Sequence, residues 1–174
     1  ANGRKVVALL SNMNQPLGQA VGNAIELKEA LDTLKGDGPD DFRLHCLELA
    51  SYMLYLSGHG LTRGEAYKKA QDSLNDGSAL QKFRQMVLAQ GGDVDYIDHP
   101  ERLPQAPIVE TVFSPKSGYL SEVNARLIGE ASVNLGAGRA RKEDRIDLSV
   151  GLIILHKVGE YVAQGEPLFV IHAS

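Results

Sequence analysis

The stretch Lys5-Val6-Val7-Ala8-Leu9-Leu10-Ser11-Asn12-Met13-Asn14-Gln15-Pro16-Leu17-Gly18-Gln19-Ala20-Val21-Gly22-Asn23-Ala24 decides how the chain is read. It opens on an apolar, β-branched run of strand length, turns through Asn, Gln, Pro and Gly, and passes into helical spacing. That order predicts a strand over residues 5–10, a loop, and a helix from about Ala20, one unit of a parallel α/β sheet. The loop leaves the carboxyl end of the predicted strand, where open α/β sheets hold ligands. Val6, Val7, Leu9 and Leu10 have no upstream strand to pair with, so the chain is expected to be the C-terminal part of a larger protein and its opening strand an adhesive edge.

Outward from that unit the next elements are helices. Ala20, Val21, Ala24, Leu27, Leu31 and Leu34 share one face, and Gly36 supplies a stop. Pro39-Asp40-Asp41 starts a second helix with acids at the positive end of its dipole. Its predicted buried face is Phe42, Cys46, Leu49, Met53 and Leu56, with Leu47, Ala50 and Leu54 alongside. Thr62-Arg63-Gly64-Glu65 and Ser78-Ala79-Leu80-Gln81 have capping-box spacing and start a third and a fourth helix, the latter turning Phe83, Val87 and Leu88 inward.

From Asp93 the texture changes. Pro100, Pro104 and Pro107 punctuate a linker, and β signals follow at residues 108–113, 118–123, 146–155 and 168–172. The Gly- and Arg-rich stretch over 127–145 carries no clear period. The expected fold class is α+β: an incomplete α/β domain of one strand and about four helices over 1–93, a linker over 94–107, and a β-rich, barrel-sandwich domain over 108–174.

Composition excludes several functions. A net charge of −4 without a dense Lys/Arg run argues against a nucleic-acid surface. No apolar stretch approaches the roughly 20 residues of a membrane span, and the first residues show no basic region followed by an apolar one. The single cysteine, Cys46, precludes an internal disulfide and fits a cytoplasmic setting. It lies on an apolar helix face as a core thiol. His45, His59, His99, His156 and His172 are scattered without metal-ligand spacing. Met13 and Met53 read as packing residues.

Six motifs recur along the chain in a distinctive order: Met13-Asn14-Gln15-Pro16-Leu17-Gly18, Val21-Gly22-Asn23-Ala24 with Glu26, Gly77-Ser78-Ala79-Leu80, Ala89-Gln90-Gly91-Gly92-Asp93, Leu135-Gly136-Ala137-Gly138-Arg139, and Ile146-Asp147-Leu148-Ser149-Val150-Gly151. Together they resemble the pyrimidine nucleoside phosphorylase and thymidine phosphorylase family over essentially the whole chain. The resemblance implies reversible phosphorolysis of a pyrimidine nucleoside to free base and pentose 1-phosphate. It implies inorganic phosphate as co-substrate, no further cofactor, no metal, and a homodimeric parent enzyme. The chain corresponds to the tail of that family's central domain plus its C-terminal domain. The family's Gly/Ser-rich phosphate loop and its Arg, Ser and Lys contacts to the pyrimidine have no counterpart here, so no catalytic residue is assigned and the chain alone is expected to be inactive.

The substrate-proximal candidates are Ser11, Asn12, Met13, Asn14, Gln15 and Gly18, on the loop before a helix N-terminus. The bland reading of the same loop is a tight connection shaped by Pro16 and Gly18. Gly136-Ala137-Gly138-Arg139 lacks the third glycine of a dinucleotide fingerprint, since Arg141 stands there. Arg139 and Arg141 are expected to pair with Asp144 or Asp147. A rival reading comes from Phe113-Ser114-Pro115 and Val158-Gly159 through Pro167-Leu168, which resemble the flattened barrel of biotinyl and lipoyl carrier domains. Carriers present a Lys in a Met-Lys-Met or Asp-Lys-Ala turn, and neither Lys116 nor Lys157 has those neighbours. A purely structural module that packs on a partner is the third reading.

Overall fold

The computed structural model describes residues 3–174. Its contacts divide into two units. The first holds residues 3–11 together with Leu31–Asp98; the second holds Asn12–Ala30 and His99–Ser174.

The first unit is helical. Helix α1 (Ala24–Lys35) runs into it from the second unit, and Gly36 ends that helix at a φ of 98°. Helices α2 (Asp40–Leu56) and α3 (Arg63–Asn75) pack together. The expected capping box is present: Thr62 accepts the Glu65 N–H while the Glu65 carboxylate accepts the Thr62 N–H. The Thr62 N–H and the Thr62 hydroxyl both donate to the Glu65 carboxylate and hold that carboxyl below its ordinary range. Helix α2 does not bury the face its apolar residues suggest. Leu47 and Ser51 are buried, whereas Met53 is 71% exposed. Arg63, on α3, meets the buried side of α2: its guanidinium bonds the Ser51 hydroxyl at 2.5 Å and Glu48 at 2.8 Å and lies 3.5 Å from the centre of the Tyr52 ring. Helix α4 (Ser78–Ala89) is capped one residue earlier than the Ser78–Gln81 spacing predicts. Gly77 is its N-cap at a φ of 76°, and Leu88 faces solvent. The short helix α5 (Asp95–Asp98) follows, tied back by a two-pronged Arg84–Asp98 ion pair.

The predicted opening strand is absent: residues 4–10 belong to no strand and their side chains are exposed, Val6 at 81%. A strand needs a ladder for its N–H and C=O groups, and apolar, β-branched composition cannot supply one. Strand β1 forms instead at Ala20–Gly22, where helical spacing seemed to begin.

The second unit is built on a four-stranded antiparallel sheet in the order β1-β4-β6-β2, with β2 at Ile108–Phe113, β4 at Gly151–Ile154 and β6 at Pro167–Ala173. Strand β1 pairs Ala20 with Ile153 and Gly22 with Gly151. Strands β3 (Gly118–Tyr119) and β5 (Tyr161–Val162) make a separate ribbon, crossed by an edge-on Tyr119–Tyr161 ring contact at 5.2 Å. The sheet is open, and no closed barrel forms among the described residues. Helix α6 (Ala125–Leu135), unforeseen in the Gly- and Arg-rich stretch, lays Ile128, Ala131 and Leu135 on a core of Val123, Leu152 and Ile154. Asn124 caps its start by accepting the Leu127 N–H, and Gly136 ends it at a φ of 106°. The mixed α+β composition is the expected one.

Candidate functional site

The loop that carries the sequence candidates is held by a strand connection far along the chain. Lys157, between β4 and β5, donates from Nζ to the Pro16 carbonyl at 2.7 Å and to the Gly18 carbonyl. A charged donor on neutral acceptors makes bonds worth about 1.5–3 kcal/mol each. The next residue, Val158, donates its N–H to Gln15 Oε1 at 2.9 Å, and Ala125, at the start of α6, donates to the Asn14 carbonyl at 3.0 Å. Asn12 shapes the turn itself by accepting the Asn14 N–H at 2.8 Å. Gly18 is buried at a φ of 68°, and a Cβ there would run into the Glu29 carboxylate. Glu29 is needed in that place, since its Oε1 accepts the N–H groups of Gln19 at 2.8 Å and Ala20 at 3.0 Å.

So fixed, Asn12, Met13, Asn14 and Gln15 form one wall of a cleft of about 420 Å³ whose other walls include Glu122, Asn124, Arg126 and Val158. Met13 is 82% exposed, so it lines the cleft instead of packing in a core. Ser11 is exposed and does not line the cleft, and Gly18 shapes the backbone without lining it. Arg126 is the cation of the cleft walls, and it pairs with Glu130 at 3.2 Å. Glu122 faces the same space and accepts from Asn124 Nδ2 at 2.8 Å. The result is an amide-lined, near-neutral cleft, suited to donating and accepting hydrogen bonds and poorly suited to binding an anion alone.

Other candidates fall elsewhere. Asp144 takes the N–H groups of Ala140 and Arg141, and Asp147 takes the Ser149 hydroxyl and N–H, so the expected Arg139 and Arg141 ion pairs do not form. The Ser149 bonds hold the Asp147 carboxyl below its ordinary range. Burial pushes the Cys46 thiol up, away from the reactive thiolate. His99 lies against Glu101 and His156 against Glu160, while no group of three or more His, Cys, Asp or Glu residues gathers among the described residues. No helix among them is long and apolar enough to cross a membrane.

Residues 119–174 match the family described as pyrimidine nucleoside phosphorylase C-terminal domain. The pyrimidine-nucleoside phosphorylase of Geobacillus stearothermophilus is 48% identical over 172 residues. The chain is similar to pyrimidine-nucleoside phosphorylases along nearly its whole length. The Staphylococcus aureus (strain USA300) pyrimidine-nucleoside phosphorylase is 49% identical over the same length. Each alignment takes in 99% of this chain and 40% of the relative, so the chain spans about two fifths of the phosphorylases it matches. The segment Met13–Gly18 is the one that Lys157, Val158 and Ala125 hold, a role that no local pattern around those three residues announces.

Proposed function

We propose that this chain is the C-terminal portion of an enzyme that reversibly cleaves pyrimidine nucleosides with inorganic phosphate, giving free base and pentose 1-phosphate. The carrying observation is the 48–49% identity to pyrimidine-nucleoside phosphorylases across 172 residues. In this reading phosphate is the co-substrate and no other cofactor takes part. The working enzyme is a homodimer of the cytoplasm, completed by an upstream part with the phosphate- and base-binding residues. The loop of Ser11, Asn12, Met13, Asn14, Gln15 and Gly18 lies near substrate and contributes shape and amide groups, not catalysis.

Phosphorolysis needs phosphate and nucleoside held in attack geometry, an effect worth up to about 7–11 kcal/mol, together with cations or donors for charge developing on the leaving base. Lys157, the ammonium nearest the loop, is turned onto the Pro16 and Gly18 carbonyls, and Glu122 opposes an anion in the cleft. This supports dependence on residues outside the chain. The test mixes the purified chain with phosphate and uridine or thymidine and follows free base by chromatography. No release above a mock purification is expected, and fusion to the upstream part of the Geobacillus stearothermophilus relative is expected to restore it. Turnover by the isolated chain that Asn12→Ala or Gln15→Ala abolishes would place a complete active site here and overturn the proposal.

A further inference from the structure

The connection between β4 and β5, Lys157-Val158-Gly159-Glu160, reaches both walls of the amide-lined cleft. On one side it holds the loop: Lys157 Nζ donates to the Pro16 and Gly18 carbonyls, and the Val158 N–H donates to Gln15 Oε1. On the other it holds Leu120, which leads directly into Ser121 and Glu122 of the opposite wall. The Gly159 N–H donates to the Leu120 carbonyl at 2.8 Å, and the Leu120 N–H donates to the Glu160 carbonyl at 2.9 Å. Gly159 turns the chain between these bonds at a φ of 90°, a conformation that glycine adopts without steric cost. Residues 157–160 thus act as a clip that fixes the separation of the two walls. Within it Lys157 supplies the charged bonds, which are stronger than bonds between neutral groups. Drawing the Pro16 and Gly18 carbonyls onto one ammonium curls the loop, and Asn12, Met13, Asn14 and Gln15 line the cleft ahead of that curl.

We infer that Lys157 is a positioning residue for nucleoside binding in the complete enzyme, acting through the Met13–Gly18 segment without touching substrate. The inference rests on the proposed phosphorolysis and assigns this cleft to one of its two substrates. Asn12, Asn14 and Gln15 carry side-chain amides, which donate and accept hydrogen bonds as the edge of a pyrimidine does. Glu122 in the facing wall repels phosphate, so the cleft favours the nucleoside. A misplacement of about 1 Å, caused by a change away from the reacting groups, costs a reaction on the order of a hundredfold. Loosening the loop therefore weakens nucleoside binding and leaves phosphate, held by residues outside this chain, unaffected.

The test uses the fusion to the upstream part of the Geobacillus stearothermophilus relative. Lys157→Met keeps the length of the side chain and removes its donors. It is expected to raise KM for uridine or thymidine roughly tenfold while KM for phosphate stays put, a split that general damage to the fold would not produce. Lys157→Arg keeps a charged group with several donors and is expected to return most of the loss. A second readout needs no turnover. The Ala125 N–H, in the first turn of α6 where no intrahelical acceptor exists, donates to the Asn14 carbonyl, so its exchange reports the loop. In the isolated chain Lys157→Met is expected to speed that exchange roughly tenfold and to leave the β6 amides unchanged. A nucleoside KM unmoved by Lys157→Met, an equal rise in both KM values, or unaltered Ala125 exchange would overturn the inference while the proposed activity stood. An unmutated fusion that releases no base would overturn the proposed activity and this inference with it.

Discussion

Residues 5–10 and Ala20–Gly22 make an instructive pair. The first, Lys5-Val6-Val7-Ala8-Leu9-Leu10, has the composition of a buried strand and forms none. The second is three residues long, contains a glycine, and is a strand with Ala20 buried. Composition favours the first on every count. What separates them is company: β1 has β4 on one side, with Glu29, Glu26 and Ser132 on its remaining N–H and C=O groups. Pairing and edge satisfaction decide whether a short segment becomes a strand, and propensity acts only after that.

That contrast can be broken by experiment. Leu152→Ala, on β4 beside β1, removes a core side chain that is 6% exposed, and a loss of about 2–5 kcal/mol is expected in urea unfolding. A cost under ~1 kcal/mol would mean that the sheet core contributes little. Glu29→Ala strips the acceptor from Gln19 and Ala20, and about 1–3 kcal/mol should be lost, with faster amide exchange at both residues. Unchanged exchange would show that β4 alone maintains β1.

Asp147 gives a pH test of the loop leading into β4. Its folded-state pKa is depressed, so its contribution is fully present above the ordinary carboxylate range and is lost as pH falls through the folded value. Asp147→Asn should therefore lower Tm at pH 7 and leave a shallower fall of Tm below pH 4, whereas parallel Tm–pH curves would contradict the assigned bonds. The smallest effect is expected from the arm. Deleting residues 1–10 should change unfolding free energy by no more than about 0.5 kcal/mol, because exposed side chains without a ladder contribute little. A larger loss would reveal support the arm gives to the fold.

Much of the molecule was legible from local signals. The Thr62–Glu65 box, the Gly36 stop and the bounds of β2 all read directly, because each depends on chemistry within a few residues. Helix α6 was missed although Asn124 and Gly136 stand at its ends, since Gly129, Ser132 and Asn134 interrupt the apolar period. Ala20 and Val21 fit helical spacing equally well, and only Ile153 and Leu152 resolve the choice. The candidate loop was recognisable as a motif, whereas its anchors were not. Lys157 looks like any lysine until the fold brings it to Pro16, and Met13 and Met53 look like core residues until their exposure is seen.

The bond from Lys157 to Pro16 joins residues 141 positions apart. During synthesis at about 5–20 residues per second, Pro16 is therefore made roughly 7–28 s before its anchor exists. For that interval β1 has no β4 to pair with, and Gln15 and Gly18 lack their ties. The nascent chain thus carries Met13–Gly18 as an unfastened segment until Lys157 is added. A ribosome stalled before Gly151 would hold a chain whose helices can form but whose sheet cannot begin.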